Sequence, residues 1–223
     1  MAVIHDIHFV TSFDKLHDLP PAGPPEVAFV GRSNAGKSSA INAMANRRRL
    51  AYVSRTPGRT QLINFFAWGG RGILVDLPGY GFAKVPEAMR RNWNALVGGY
   101  IEKREPLAGL VVIMDARHPM KQLDEEMLDW ITPRQIPVHI LLSKADKLSR
   151  NEAIQTLAKV KRAVGERPLA SSVQLFSSLN RQGVDEAIGV ISRMLAGAGS
   201  LPVVTSPAEQ LLGAPESTVG QLD

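Results

Sequence analysis

Gly31-Arg32-Ser33-Asn34-Ala35-Gly36-Lys37-Ser38 sets two glycines five residues apart and follows the second with an amine and a hydroxyl. The apolar run Val27 to Val30 precedes this stretch, and Ser39-Ala40-Ile41-Asn42-Ala43-Met44-Ala45 follows it. The loop therefore falls where a buried strand turns into a helix. Glycines allow the tight turn and the close approach of backbone to a ligand, and the N–H groups of a helix N-terminus attract anions. In this strand–loop–helix context the pattern GxxxxGKS reads as a phosphate-binding loop. Lys37 can reach the β- and γ-phosphates of a nucleotide, and the Ser38 hydroxyl can ligate Mg²⁺.

Later loops carry the parts such a site needs. Asp76 closes an apolar run and opens Leu77-Pro78-Gly79, the place for a carboxylate that holds Mg²⁺ through a water, with the Gly79 N–H toward a γ-phosphate. Thr60 lies in the breaker-rich stretch 51–60, read as an exposed loop, and is the third candidate metal ligand beside Ser38 and Asp76. Ser143-Lys144-Ala145-Asp146 follows the apolar run Val138 to Leu142. A carboxylate at Asp146 accepts from both N1–H and the 2-amino group of guanine, whereas adenine presents an acceptor there and leaves the charge unpaired. The Lys144 stem can lie across the base. Ser177-Ser178-Leu179 follows the last strand, where backbone N–H groups can meet the guanine O6.

The elements that position these loops alternate between strand and helix. Val27 to Val30 is the first core strand and Lys37 to about Asn46 the first helix. Gln61 to Trp68 and Arg71 to Asp76 form a hairpin about Gly69-Gly70. A helix starts near Pro86 and carries Met89, Trp93, Leu96, Val97, Tyr100 and Ile101 at helical spacing to Lys103. Strands follow at Gly109 to Asp115, Pro137 to Leu142 and Val173 to Phe176, with helices at Gln122 to Thr132, Asn151 to Val164 and Val184 to Leu195. This order predicts an α/β, three-layer fold with a mostly parallel sheet, helices on both faces, and one antiparallel edge strand from the hairpin. Residues 1–24 read as an arm in which prolines forbid a regular element, 25–196 as the domain, and 197–223 as a disordered tail.

The 223 residues contain no cysteine, which excludes disulfides and thiolate metal sites, and no apolar run long enough to span a membrane. A cytoplasmic protein is the expectation. From Arg32 to Arg104 there are 13 Lys or Arg against Asp76, Glu87 and Glu102, a net +10, whereas the whole chain carries only +5. Arg47, Arg48, Arg49, Arg55, Arg90 and Arg91 are the expected phosphate-facing surface for a nucleic acid.

The set GRSNAGKS, TPGRTQLINFF, DLPGYGFAK, SKAD and SSL resembles the EngB/YsxC family of bacterial GTP-binding proteins, in the translation-factor-related class of P-loop GTPases. The resemblance runs from about Val27 to Leu195. It implies a Ras-like GTPase domain that binds GTP and GDP with Mg²⁺, acts in assembly of the large (50S) ribosomal subunit or its precursor, and is needed for cell division and normal septation. A monomer is expected. Carried onto this sequence, the nucleotide contacts are Gly31 to Ser39, Gly58-Arg59-Thr60-Gln61-Leu62 as the first switch, Asp76-Leu77-Pro78-Gly79 opening the second, Ser143 to Asp146, and Ser177 to Leu179. One departure is Ser143, where relatives usually carry Thr or Asn; the hydroxyl can keep the hydrogen bond toward the phosphate loop, with weaker hold on the base.

In Ras-like proteins a glutamine after the second-switch glycine orients the attacking water. Tyr80 stands there, so slow hydrolysis is expected, with Asn34, Lys37, Thr60 and Gly79 as the residues acting in it. The resemblance extends to a subgroup in which an asparagine at the place of Asn34 helps hold K⁺ beside the phosphates. Competing readings are a P-loop ATPase or small-molecule kinase, a non-enzymatic RNA-binding assembly factor that uses nucleotide structurally, and a scaffold at the division septum.

Overall fold

The computed structural model describes residues 6–21, 23–51, 62–81 and 94–197. Its elements, in chain order, are β1 (Ile7–Phe13), β2 (Glu26–Gly31), α1 (Lys37–Met44), β3 (Ile63–Trp68), β4 (Gly72–Asp76), a π turn (Asn94–Gly98) running into α2 (Gly99–Lys103), β5 (Leu107–Asp115), α3 (Gln122–Ile131), β6 (Val138–Ser143), α4 (Arg150–Gly165), β7 (Ser171–Leu175) and α5 (Val184–Leu195). The strands form one sheet in the order β1-β3-β4-β2-β5-β6-β7. Strands β4, β2, β5, β6 and β7 are mutually parallel, and β3 pairs antiparallel with both β4 and β1.

The continuous apolar strands are explained by burial on both faces. Every residue of β2 is buried. Val27 and Phe29 of β2, with Val111 and Ile113 of β5, pack toward Ile41 of α1 and Ile191 of α5. The alternate residues Ala28, Val30, Val112 and Met114 pack on the other side with Tyr100, Leu128, Ile131 and Val160, from α2, α3 and α4. This is the expected three-layer α/β class. No helix of the described residues is long and apolar enough to cross a membrane.

Two expectations change. Residues 1–24 are not free of regular structure, because Ile7–Phe13 is a strand and Leu16–Asp18 a short 3₁₀ turn. The register shifts once, between Phe9 and Thr11. The apolar alternation from Ile4 to Val10 does mark a strand, because the prolines begin only at Pro20, after β1 has ended. As a consequence the hairpin strand β3 lies inside the sheet, and β1 is the edge. The helix expected from Pro86 is described only from Asn94, so Met89 and Trp93 lie outside the described residues; the described part begins as a π turn rather than an α-helix.

A buried ionic cluster closes the end of the sheet opposite the phosphate loop. Glu26, at the start of β2, is 2% exposed and accepts from the Tyr100 hydroxyl at 2.5 Å and from Arg104 Nε at 2.9 Å. Arg104 also donates to the Pro20 carbonyl at 2.6 Å, tying the arm to the domain. Burial, then the Glu26 charge, pushes the Tyr100 phenol well above its ordinary range, so it remains a donor. Removing the guanidinium leaves a buried carboxylate without its counter-charge. Arg104→Ala is expected to lower the unfolding free energy by about 3 kcal/mol in urea titration.

Candidate functional site

Gly31, Asp76, Asp115 and Ser143 end strands β2, β4, β5 and β6 at one edge of the sheet, and each opens a loop. In an open α/β sheet that edge is where ligands bind. The phosphate loop leaves β2 through Gly31, where an added Cβ would sit 2.6 Å from the Ile113 carbonyl oxygen. Asn34 and Gly36 take left-handed backbone with φ of 64° and 100°. Gly36 caps α1 without any side-chain hydrogen bond to the first turn. The N–H groups that begin α1 at Lys37, Ser38 and Ser39 thus open the helix with no side-chain cap, a backbone anion cradle of the kind that holds phosphate.

Lys37 and Asp76 meet in a largely buried ion pair between α1 and β4. The second loop then continues alongside β2 in the same direction. Leu77 N–H donates to Phe29 O at 3.0 Å, Tyr80 N–H to Gly31 O at 3.1 Å, and Ser33 N–H to Tyr80 O at 2.7 Å. This backbone ladder carries Pro78 and Gly79 against the phosphate loop. The Leu77 side chain is fully buried in the core, so its expected contact with a ligand is left to its backbone.

The loop after β6 is locked to the phosphate loop from the other side. The Ser143 hydroxyl lies within reach of the Ala35 carbonyl, in the phosphate loop, and of Met114 O at 3.1 Å. It has one proton for two acceptors, where an asparagine amide has two. Lys144, itself left-handed at φ 59°, sends its ammonium to Asn34 O at 2.7 Å and to Asp115 at 2.9 Å. Burial works against ionisation of Asp115, but the Arg117 and Lys144 donors outweigh it and hold its carboxyl below the ordinary carboxylate range. Asp146 accepts from Ser177 Oγ at 2.5 Å, and that hydroxyl lowers the carboxyl's pKa and keeps it charged. Ser177 Oγ in turn accepts from Leu179 N–H at 3.2 Å, which ties the Ser177-Ser178-Leu179 loop to Asp146. Ala145 is buried, whereas Ser178 and Leu179 are exposed.

The structure thus brings together Gly31 to Ser39, Asp76 to Gly79, Ser143 to Asp146 and Ser177 to Leu179. The Arg32 side chain is turned away from that centre, with Nε on Asp124 at 3.0 Å and its other nitrogen on His118 O at 2.7 Å, so only its backbone belongs to the loop. Leu62 is described and exposed; Gly58, Arg59, Thr60 and Gln61 lie outside the described residues, as do Arg55, Arg90 and Arg91. Asp115 and Asp124 were not among the residues expected from sequence. Asp115 was within reach of the same logic that found Asp76, since both end parallel strands at one edge. Asp124 offers no such signal, because its partners are 92 and 44 residues away in the chain.

A glycine-rich loop opening a helix, a strand-end aspartate paired with its lysine, and a serine-held carboxylate after β6, at the carboxyl ends of a mostly parallel sheet, are the arrangement of a P-loop nucleotide-binding protein. The family model described as 50S ribosome-binding GTPase matches residues 26–144. The probable GTP-binding protein EngB of Aromatoleum aromaticum is 52% identical over 210 residues, covering 94% of this chain and 97% of the relative. Its counterpart in Neisseria meningitidis serogroup B is 54% identical over 213 residues, covering 94% and 100%. A crystal structure of a probable GTP-binding protein EngB superposes with a TM-score of 0.60 at 19% identity, covering 77% of this chain and 98% of that one. The chain belongs to the EngB family of GTP-binding proteins and is a GTP-hydrolysing enzyme. Membership decides the nucleotide as GTP and GDP, against the adenine-specific alternative.

Ser177 donates to Asp146, the carboxylate expected to meet the guanine base. Ser177→Ala is expected to weaken GDP binding about tenfold, the loss of one hydrogen bond to a charged group, as read by titration with a fluorescent GDP.

Proposed function

We propose that this protein is a slow GTPase switch in assembly of the large ribosomal subunit, and that its effect on cell division and septation follows from that role. The observation that carries the reading is the Lys144 ammonium held between Asn34 O and Asp115. It joins the guanine-recognition loop to the phosphate loop, so that base and phosphates are gripped by one unit. The nucleotide-binding unit spans residues 25–196, flanked by 1–24 and 197–223, and acts as a monomer in the cytoplasm.

On this reading Gly31 to Ser39 surround the β- and γ-phosphates, and the Lys37 ammonium moves from Asp76 to phosphate oxygens. Asp146 and Lys144 hold the base, with Ser143 bracing the phosphate loop and Ser177 to Leu179 closing the far side. The first switch, Gly58 to Leu62, meets the γ-phosphate through Thr60. The donor set fits Mg²⁺: Ser38, Thr60 and Asp76 supply hard oxygens, and Asp76 already accepts a cation in the form of Lys37. Mg²⁺ held there supplies positive charge to the phosphate oxygens. Lys37 adds a second charge and the Gly79 N–H a donor at the γ-phosphate, stabilising charge as the terminal bond breaks.

Tyr80 accounts for slow turnover, because its phenol is buried and engaged by Asp124 rather than free to orient water. Asn34, exposed at the mouth of the loop, is the residue assigned to K⁺. The partner reading draws on the family model's description and on the exposed Arg47, Arg48 and Arg49 just after α1. These arginines, with Arg55, Arg90 and Arg91, suit ribosomal RNA phosphates.

Co-sedimentation with large-subunit particles tests the switch. More protein is expected in the pellet with a GTP analogue than with GDP or no nucleotide; equal recovery in all three conditions rejects it. GTP hydrolysis is expected to run faster in potassium than in sodium buffer, with the difference lost in Asn34→Ala. Equal rates in both salts, with and without ribosomal particles, reject the K⁺ role.

A further inference from the structure

Asp124 is completely buried, yet it belongs to none of the motifs that bind nucleotide. It lies in the first turn of α3, where a negative charge is favoured by the helix dipole, and accepts from the Lys121 N–H at 3.0 Å. Its two oxygens take the Arg32 Nε at 3.0 and 3.1 Å, and one of them also takes the Tyr80 hydroxyl at 2.8 Å. Arg32 comes from the phosphate loop and Tyr80 from the residue after Gly79. One carboxylate therefore ties together the two loops that must both face a γ-phosphate.

Backbone contacts run in parallel with this side-chain cluster. Tyr80 N–H donates to Gly31 O and Tyr80 O accepts from Ser33 N–H, so residue 80 is zipped to the phosphate loop on both of its peptide groups. Gly79 is left so close to that loop that an added Cβ would lie 3.3 Å from Gly31 O and 3.5 Å from Ser33 N. On the α3 side, an added Cβ at Gly81 would meet Leu123 at 2.9 Å. Residues 79–81 are thus held between the phosphate loop and α3, and the Tyr80–Asp124 bond fastens the buried aromatic side chain to α3.

We infer that Asp124 is a positioning residue for triphosphate recognition: acting through Tyr80 and Arg32, it presets the Gly79 peptide beside the phosphate loop. The inference rests on the assignment of this edge to GTP and GDP. Only a triphosphate has a γ-phosphate for the Gly79 N–H, so ordering of residues 79–81 is needed for GTP and is irrelevant to GDP. Preordering by Asp124 removes that cost from GTP binding alone. A buried charge of this kind is retained by its three donors, and losing the phenol removes one of them while Arg32 and the Lys121 N–H remain.

Tyr80→Phe is the decisive variant, since it deletes one hydroxyl and keeps the ring. Fluorescent GDP and a fluorescent non-hydrolysable GTP analogue are titrated into wild type and variant, with thermal unfolding followed alongside. The expected result is GDP affinity within about twofold of wild type and GTP-analogue affinity about tenfold weaker, the fold-change for one hydrogen bond to a charged group. Asp124→Asn is expected to shift the same ratio in the same direction. Arg32→Lys, which keeps charge but not the two-oxygen contact, is expected to give a smaller shift of that sign. Equal weakening of both nucleotides means a structural role only and overturns the inference, as does an unchanged or increased preference for the GTP analogue. Failure of the wild-type protein to bind either nucleotide rejects the underlying GTPase reading instead.

Discussion

The site depends on how closely β2 and β5 run at their carboxyl ends. Gly31 is paired with Ile113, and an added Cβ would come within 2.6 Å of that residue's carbonyl oxygen. No side chain fits without moving a buried strand, so the chain must leave the sheet here as bare backbone. That constraint sets where the phosphate loop begins. It also brings Asp115, two residues beyond Ile113, level with the loop, where it anchors Lys144. Strand β6 is in register with β5 through Asp115 and Ser143, which puts the Ser143 hydroxyl against Ala35 O. The loops after β2, β5 and β6 are therefore spaced by strand pairing, with hydrogen bonds fixing the remaining freedom.

Charge at this edge is arranged as mutually satisfied pairs. Lys37 is balanced by Asp76, Lys144 by Asp115, and Arg32 by Asp124. Each pair is partly or fully withdrawn from water, where breaking it costs more than at the surface. The pairs differ in what a nucleotide asks of them. Under the proposed function, Lys37 exchanges a carboxylate for phosphate, and Asp76 a Lys for a divalent cation. Lys144 and Arg32 keep their partners and act as struts. This division separates the moving parts of the site from its frame.

The opposite end of the sheet has a different task. Glu26, Tyr100 and Arg104 join the start of β2 to α2, and Arg104 reaches on to Pro20. Along with the pairing of β1 to β3, this draws the N-terminal arm onto the domain. Between β6 and β7, His139 is buried and hydrogen-bonded to Ser172 and Gln174, and burial pushes its pKa down to about 4, so it is neutral. Gln174 also donates to Gly183 O at 2.7 Å, steadying the loop that carries Ser177. A polar network far from the phosphates thus supports the residue that holds Asp146.

Local features were legible in the sequence alone. The loop Gly31 to Ser38, Asp76 at a strand end, and Ser143 to Asp146 after an apolar run each carry their meaning within a few neighbouring residues, because backbone turns and strand–helix alternation are short-range. The doubly covered sheet followed from the same alternation. What tertiary structure alone decided are contacts between distant segments. Strand β1 exists because β3 supplies its hydrogen-bond partners from a distant stretch of chain, as Ser12 and Asn64, 52 residues apart, illustrate. Asp124 and Glu26 look like ordinary acidic residues until folding buries each against a cation from a distant part of the chain. Tyr80, by sequence only a missing glutamine, is by structure the point where the loop after β4 is fastened to α3. The physical reason is the same in each case: periodicity encodes which face of an element is buried, whereas the partner of a buried charge is chosen by topology.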